Sequence, residues 1–317
     1  IAGYIGNLSP SKDDIKNASK VLKHRGPDNS GVYRHSIKEQ NVTLLHRRLS
    51  IIDLETRSDQ PFFYNGTVLI FNGEIFNYLE VRKNLQNLGH IFKTNSDTEV
   101  LIHALNEWEE EALEKLEGMW AFAWYNEING SMLLSRDRFG EKPLYFWKKN
   151  KGLYFASEIK GLTSLANKSP KINENHLLRN LVNGYKSLYK TGETFFHEVK
   201  EVPAGTCIKI DLNGIGLPKR YWKLNFEENK KISYEDSVLM TRDKLIEAVK
   251  IRMRSDVPIA FCMSGGVDSN CLISVASKIL NCDVHGFTIV NTDARYDEQS
   301  IVDQSVKELN INLKLKK

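Results

Sequence analysis

The sequence predicts an α+β domain built from layered antiparallel sheets, followed by a parallel α/β domain. Short β-rich runs separated by turn signals fill the first half of the chain, and only two clear helical patterns interrupt them. A polar, lysine-rich stretch at Phe226–Ser233 then has the composition of a linker. Beyond it, apolar runs and helical patterns alternate in the order βαβαβ, which is typical of a doubly wound sheet.

In the first part of the chain, β-branched and aromatic residues between turn signals indicate the strands. The segments that we predict as strands are Thr43–Leu45, Phe62–Tyr64, Val68–Phe71, Ala121–Tyr125, Ser131–Ser135, Leu144–Trp147, Gly152–Ala156 and Cys207–Ile210. One helix is expected directly after Asn72-Gly73-Glu74, on apolar spacing from Ile75 to Leu85. A second is expected from about Asp97 to Trp108.

After the linker, continuous apolar runs predict strands that are buried on both faces. The predicted strands are Val257–Met263, Val284–Val290 and a third that begins within Ile311–Leu315, and the predicted helices are Tyr234–Met253, Asn270–Leu280 and Ser300–Leu309. Because roughly 90 residues is short for a doubly wound domain, we expect this domain to be truncated at Lys317.

The composition fits a globular protein and excludes several classes. Of 317 residues, 26% are charged and 41% hydrophobic, and the net charge is only +4, so nucleic acid and anionic membranes are not expected partners. No apolar run reaches the roughly 20 residues of a membrane span, and the start resembles no secretory signal. The cysteines, Cys207, Cys262, Cys271 and Cys282, form no CxxC pair. Free thiols and a cytoplasmic location are therefore expected.

The segment Ser264-Gly265-Gly266-Val267-Asp268-Ser269 carries the strongest chemical signal. It lies between a predicted strand and a predicted helix, and its two glycines allow a tight turn close to a ligand. Amides at a helix N-terminus favour an anion, the serines add hydroxyl donors, and Asp268 suits Mg²⁺ that bridges phosphates. An ordinary strand-to-helix turn, with Asp268 or Ser269 as the N-cap, is the alternative.

This segment resembles the pyrophosphate loop of ATP-pyrophosphatase domains. Arg254–Pro258 before it and Tyr296-Asp297-Glu298 after it make the chain similar to the asparagine synthetases, which are glutamine-dependent class II amidotransferases. The first half resembles their glutaminase domain in the order and spacing of its motifs. The matching segments are residues 24–28, 46–53, 72–77, 96–99, 135–140, 142–145 and 155–158.

The resemblance implies a fold, a domain division and a reaction. The fold would be an N-terminal-nucleophile (Ntn) hydrolase-like αββα sandwich at residues 1–205, a sheet end and linker at 206–227, and an ATP-pyrophosphatase domain at 228–317. ATP with Mg²⁺ would activate a carboxylate, such as that of aspartate, as an acyl-adenylate. Ammonia from glutamine would then displace AMP. A homodimer is the assembly that we expect for such a protein.

The resemblance also implies site residues. Asn72 and Gly73 would form an oxyanion hole, Glu74 and Asp97 would hold the α-amino group of glutamine, and Arg48 would hold its carboxylate. The glutamine pocket would also include Ile51 and Ile52, and the nucleotide would contact Met263, Ser264, Gly265, Gly266, Asp268, Ser269 and Ile289, with Asp268 towards Mg²⁺.

For two of these residues, a role without any ligand is the alternative. Ser96-x-x-Glu99 is a good capping box, so Asp97 would then be only a first-turn acid that favours the helix dipole. Arg48 would be a solvated surface charge.

At the N-terminus the sequence departs from the family pattern. Ala2-Gly3-Tyr4 occupies the register of the family's Cys-Gly-Ile, in which the cysteine is the glutaminase nucleophile. We therefore expect no glutamine hydrolysis by this chain, whether the cysteine was lost naturally or replaced. Two other functions stay open: a tailoring synthetase that adenylates a different carboxylate or sugar acid and uses another amine, and a non-enzymatic glutamine-binding module.

Overall fold

The computed structural model describes residues 1–190, 192–228, 231–290, 293, 295, 297–309 and 311–316. The chain divides into two compact units, one at Ile1–Asn225 and one that begins at Phe226, and each is described by itself. Within the described residues, no helix is both long and apolar enough to cross a bilayer.

The first unit contains two antiparallel sheets and the helices that cover them. Its strands are β1 Ala2–Gly6, β2 Asn29–Ile37, β3 Gln40–Arg48, β4 Phe62–Tyr64, β5 Thr67–Ile75, β6 Gly118–Asn126, β7 Met132–Arg136, β8 Tyr145–Lys149, β9 Gly152–Ala156, β10 Val199–Glu201, β11 Thr206–Asp211, β12 Gly214–Ile215 and β13 Lys219–Arg220. Its helices are α1 Lys12–Val21, α2 Tyr78–Asn87, α3 Asp97–Trp108, α4 Ala112–Lys115, α5 Ile159–Ala166 and α6 Glu174–Asn183.

The strand order is β10-β8-β9-β1-β3-β2 in one sheet and β12-β11-β7-β6-β5-β4 in the other, with β13 also paired to β11. The two-residue period of β5 shows how the layers form. Val68 and Ile70 are buried against residues of the other sheet, whereas Leu69 and Phe71 are buried against the helices α2 and α3. A third buried cluster joins the first sheet to α1 and α5. The predicted αββα sandwich is confirmed.

All of the strands predicted in this unit are present, but the expected helix after Asn72-Gly73-Glu74 begins later. Strand β5 continues through these residues to Ile75, and α2 starts only at Tyr78. The reason is pairing with β6, which runs residue by residue from Thr67 opposite Asn126 to Ile75 opposite Gly118.

The second unit is a small parallel α/β layer. Its elements are α7 Tyr234–Arg252, β14 Ala260–Cys262, α8 Val267–Ser274, β15 His285–Ile289, α9 Gln299–Leu309 and β16 Asn312–Lys316, and a π-helical turn at Val275–Ile279 extends α8. The strands are parallel in the order β14-β15-β16. The predicted βαβαβ order is confirmed. Its core includes Val249, Met263, Ile273 and Val302.

The expectation that these strands are buried on both faces was wrong. In β15, Gly286 and Thr288 are buried, but Phe287 and Ile289 are 41% and 81% exposed. The reason is the strand order, in which each new strand is added on the same side of the last. Right-handed crossovers in such a sheet place both connecting helices, α8 and α9, on the same face, and the other face is left uncovered by them. Strand β14 is also shorter than the run predicted at Val257–Met263.

Candidate functional site

A cavity of about 90 Å³ opens beside the edge of β5. Strand β4 pairs with β5 only from Thr67 to Leu69, and no strand among the described residues pairs with this edge beyond Leu69. The cavity is lined by residues of the predicted glutamine pocket, namely Arg48, Ile51, Ile52, Asn72, Gly73, Glu74 and Asp97. The fold thus brings together side chains from three separate segments, in a space far larger than one water molecule needs.

The backbone of β5 presents an N–H group to this cavity at Gly73. On the open edge, the N–H of Phe71 donates to Oε1 of Gln60 at 2.6 Å, and that of Ile75 donates to Oδ2 of Asp97 at 3.0 Å. Successive N–H groups of a strand point to opposite edges, so the N–H of Gly73 faces the same edge as these two. It lies between two positions whose donors are already satisfied.

Asn72 adds a second donor. Its Nδ2 is buried and has no hydrogen-bond partner within the described residues. A side chain at Gly73 would clash here, because a Cβ would lie 2.0 Å from the carbonyl oxygen of Met119 on β6. The unpaired amide of Asn72 and the N–H of Gly73 have the chemistry of an oxyanion hole.

Two carboxyl groups give the cavity an acidic end. Burial, together with the negative charge of Glu74, raises the pKa of Asp97 to about 7, although the hydrogen bond from the N–H of Ile75 opposes the shift. Burial also raises the pKa of Glu74, against the opposing influence of Lys142. The raised pKa values show that the surroundings, Lys142 included, do not fully stabilise the two carboxylates in their ionised form, so an ammonium group in the cavity would be stabilised.

The start of α3 positions Asp97. Ser96 is the N-cap, and its hydroxyl accepts the N–H of Thr98 at 3.0 Å. Glu99 does not complete a capping box, because its carboxylate accepts the N–H groups of Lys93 and Thr94 at 2.9 Å and 2.7 Å. The carboxylate of Asp97 therefore does more than interact with its own helix terminus, because it also accepts the N–H of Ile75 in β5.

Arg48 is a buried residue, so the alternative of a solvated surface charge was wrong. Its side chain is 7% exposed, and Nη1 donates to Oδ1 of Asp59 at 2.6 Å and to the carbonyl of Glu55 at 2.8 Å. Nη2 donates to the carbonyl of Asp53. These bonds hold the guanidinium group rigidly in the cavity wall. Its positive charge is opposite in sign to the charges of Glu74 and Asp97.

Ala2 is the predicted site residue that the structure places elsewhere. It is fully buried in the cluster between the first sheet and helices α1 and α5, with Tyr4, Leu45 and Ala156. Ile1, directly before β1, and Ile5 within it belong instead to the core between the two sheets. Ala2 does not line the cavity, and none of the four cysteines does so in the described part of the chain.

Residue-by-residue reasoning missed two side chains that organise the cavity. His46 is buried, its Nε2 lies 3.0 Å from the carbonyl oxygen of Phe71, and its Nδ1 has no partner within the described residues. Gln60 holds the N–H of the same Phe71. The available signal was the alternation Val42, Leu44, His46, which puts a polar residue on an apolar face of β3.

The loop predicted to bind a nucleotide lies between β14 and α8. The N–H of Gly265 donates to Oε2 of Glu298 at 2.9 Å, and the N–H of Gly266 donates to Oγ of Ser264 at 3.2 Å. The amide of Gly265 therefore already receives a carboxylate. The N-cap of α8 is Gly266, without a side-chain cap, so the alternative with Asp268 or Ser269 as N-cap was wrong.

Other residues of this loop have distinct environments. Met263 is buried, Gly266 and Asp268 are exposed, and Ile289 at the end of β15 is 81% exposed. Asn270, at the start of the predicted helix, donates from Nδ2 to the carbonyls of Ser264 and Gly266 at 3.0 Å and 2.9 Å. Tyr296 of the family motif lies outside the described residues.

The loop is suited to magnesium only as a phosphate-bridging ion. Asp268 is a single exposed carboxylate, and no cluster of three or more metal-ligating side chains occurs within the described ranges. Mg²⁺ commonly binds through one or two carboxylates together with substrate phosphates, so a lone Asp268 fits that arrangement.

Comparisons with known proteins identify a family for each of the two units. Residues 1–222 match the family described as glutamine amidotransferase domain, and residues 240–315 match asparagine synthase. Asparagine synthetase [glutamine-hydrolyzing] 1 of Bacillus subtilis is 37% identical over 86% of this chain and 42% of its own length. A putative asparagine synthetase 2 of Methanocaldococcus jannaschii is 32% identical over 90% and 58%. The chain spans about half the length of these relatives.

Solved structures support the fold. The glutamine phosphoribosylpyrophosphate amidotransferase of B. subtilis aligns with a TM-score of 0.50 at 16% identity, over 99% of this chain and 65% of that one. The allosteric regulatory enzyme of purine biosynthesis aligns with a TM-score of 0.53 at 15% identity, over 99% and 80%. With family models matched across both units, the chain belongs to the asparagine synthetase-like family of class II glutamine amidotransferases.

Proposed function

We propose that this chain carries the glutamine site and the nucleotide loop of an ATP-dependent amidoligase that resembles asparagine synthetase. The observation that carries the proposal is the cavity beside β5. It combines an acidic pair, Glu74 and Asp97, with the unpaired amide of Asn72 and the N–H edge at Gly73. Glutamine has the complementary groups at its two ends: a cationic α-ammonium and a neutral carboxamide oxygen.

Glutamine would bind with its ammonium group against Asp97 and Glu74, which lowers their raised pKa values. Its side-chain carbonyl would accept from Nδ2 of Asn72 and from the N–H of Gly73. The α-carboxylate would lie towards Arg48, which supplies the fixed positive charge in the wall.

In the second unit, the pyrophosphate part of ATP would bind at Ser264–Ser269 and would replace the carboxylate of Glu298 on the N–H of Gly265. Met263 and Ile289 would contact the rest of the nucleotide. Mg²⁺, held by Asp268 and the phosphates, would neutralise charge on the departing pyrophosphate.

The reaction would proceed in two steps. A carboxylate oxygen of the acceptor attacks the α-phosphorus of ATP, which forms an acyl-adenylate and releases pyrophosphate. Ammonia then attacks the acyl carbon, loses a proton as the amide forms, and releases AMP. For the acceptor we propose aspartate, as the names of the relatives indicate.

For the glutaminase step, we propose that these 317 residues bind glutamine without hydrolysing it. Hydrolysis of this type needs a nucleophile beside the oxyanion hole, and none of the four cysteines lines the cavity in the described part of the chain. A homodimer and a cytoplasmic location are part of the proposal, and light scattering and cell fractionation test them.

The experiment that tests the proposal is isotope exchange between pyrophosphate and ATP. We expect exchange that depends on aspartate and is lost in Asp268→Asn, whereas Asn72→Ala in the other unit leaves it unchanged. Exchange with another carboxylate or a sugar acid instead of aspartate would identify a tailoring synthetase. Glutamine binding without exchange for any carboxylate would identify a non-enzymatic glutamine-binding module.

A further inference from the structure

Buried polar atoms without partners are concentrated at one place in the first unit. Among the described residues, ten buried side-chain nitrogen or oxygen atoms have no hydrogen-bond partner, and three of them, on His46, Ser58 and Asn72, line the cavity beside β5. Unpaired buried polar groups are costly, so their clustering in one cavity indicates a ligand that supplies the missing bonds.

The unpaired atom of His46 is an acceptor. The carbonyl of Phe71 can only accept, so the Nε2 of His46 beside it must carry a hydrogen. Burial, the positive charge of the Ile1 ammonium group and, to a smaller extent, the nearby arginines together lower the pKa of His46 to about 3, so the ring is neutral near neutral pH. A neutral ring with hydrogen on Nε2 leaves Nδ1 as a bare acceptor.

The unpaired atom of Asn72 is a donor. His46 and Asn72 are both positioned by the backbone of Phe71. His46 holds the carbonyl of Phe71, and Gln60 holds its N–H, so the residue directly before Asn72 is braced on both sides. The cavity therefore contains one unpaired acceptor and one unpaired donor. A primary carboxamide is complementary to them, because its NH₂ group donates and its C=O group accepts.

We propose that His46 determines the specificity of this cavity for glutamine: Nδ1 of His46 accepts an N–H of the ligand's side-chain amide while Nδ2 of Asn72 donates to its oxygen. The inference rests on the proposed glutamine site and adds the residue that recognises the amide nitrogen. Glutamate has no N–H at this position and would place a negative oxygen against the lone pair of Nδ1. An uncharged ester would also leave Nδ1 unpaired.

The first test uses the unmodified protein and calorimetric titration with L-glutamine, L-glutamate and L-glutamate γ-methyl ester. The ester keeps the carbonyl oxygen, is uncharged and lacks the N–H. We expect it to bind at least about tenfold more weakly than glutamine, because sites built to bond an N–H reject analogues without one. Equal affinity for ester and glutamine would overturn the inference and leave the glutamine site intact. Absence of any glutamine binding would overturn the proposed function instead.

The second test compares two substitutions of His46. Each of them keeps the function of one ring nitrogen and removes that of the other. His46→Gln keeps a donor that reaches the position of Nε2 and loses the acceptor at Nδ1, whereas His46→Asn keeps an acceptor near Nδ1 and loses the bond to Phe71. We expect the preference for glutamine over the ester to disappear in H46Q and to persist in H46N, with thermal melts confirming that both variants fold.

Ser58 provides the competing assignment, because its hydroxyl is also buried, unpaired and in the cavity wall. If Ser58→Ala abolishes the preference for glutamine over the ester and H46Q retains it, Ser58 recognises the amide nitrogen and the assignment to His46 is overturned. A preference that survives S58A and is lost in H46Q supports His46.

Discussion

Asp97, the first residue of α3, accepts the N–H of Ile75 in β5 through Oδ2 at 3.0 Å. This bond ties a helix N-terminus to the open edge of a strand and places a carboxyl group two residues from the N–H of Gly73. It explains how an acid can stay buried in a sandwich of sheets: its lone pairs are partly satisfied by backbone donors, and its remaining charge faces the cavity.

Asp97→Asn is expected to stabilise the protein more at high pH than at low pH. The folded-state pKa of Asp97 is raised to about 7, so the protonated form stabilises the fold at low pH and this stability is lost as the pH rises towards 7. In urea denaturation, the gain in unfolding free energy over the parent should be larger at about pH 8 than at about pH 5 by roughly 1–3 kcal/mol. A smaller gain at the higher pH would contradict the buried, raised-pKa carboxyl.

The affinity for glutamine should rise with pH across the titration of Asp97. An ammonium ligand requires the ionised carboxylate, whose pKa in the free protein is about 7. Calorimetry between about pH 6 and pH 8 should therefore show affinity that falls by up to about tenfold per unit below 7 and levels off above it. The same series on Asp97→Asn should be weak and flat. A flat profile for the parent would show that Asp97 does not contact the ammonium group.

Gly73→Ala should disrupt both the sheet and the site. A Cβ at this position would lie 2.0 Å from the carbonyl oxygen of Met119, so β5 and β6 must separate locally. We expect a loss of about 2 kcal/mol or more in unfolding free energy, measured by denaturant titration. Gly89→Asn is the control, because nothing lies within 4 Å of a Cβ there and asparagine tolerates its left-handed conformation. Equal effects of the two changes would contradict the close approach at Gly73.

Ala2→Cys is expected to give no glutaminase activity. The side chain at position 2 is fully buried against Tyr4, Leu45 and Ala156, on the face of β1 that is covered by α1 and α5. A thiol there would be slow to alkylate and would not reach the amide of Asn72. Ammonia release from glutamine, followed with and without the substitution, is the measurement. Turnover by A2C would show that residue 2 does reach the cavity.

Glu298→Gln should strengthen nucleotide binding. The carboxylate of Glu298 occupies the N–H of Gly265, and a neutral amide is a weaker competitor for that donor than a carboxylate. We expect ATP to bind a few-fold more tightly in calorimetry with Mg²⁺ present. Glu308→Gln is the matched control, because Glu308 lies on α9, which begins directly after Glu298, and its side chain is bonded only to Gln304 among the described contacts. Weaker binding in E298Q would mean that Glu298 helps to hold the nucleotide.

The sequence predicted the strands well because alternation and turn residues are local signals. It predicted the parallel βαβαβ order for the same reason. It placed a helix directly after Asn72-Gly73-Glu74 wrongly, because pairing with β6 more than forty residues away decides that β5 continues. Burial of β15 on one face also depends on strand order, which no local pattern reveals.

The cavity residues came from a resemblance, and the structure brings those of the first unit together except Ala2. The sequence could not reveal which way Ala2 faces, since a one-residue change in register reverses every side chain of a strand. His46 and Gln60 were missed for a similar reason. Both act through the backbone of Phe71, a contact that exists only after β3, β5 and the segment before β4 have come together.

The central claim is that the cavity beside β5 holds glutamine by both ends, and a crystal structure of the protein soaked with L-glutamine tests it most directly. We predict the α-ammonium within hydrogen-bond distance of Asp97 and the side-chain oxygen between Asn72 and Gly73. Glutamine bound in the reverse direction, or a cavity that contains only ordered water at saturating glutamine, would contradict the account.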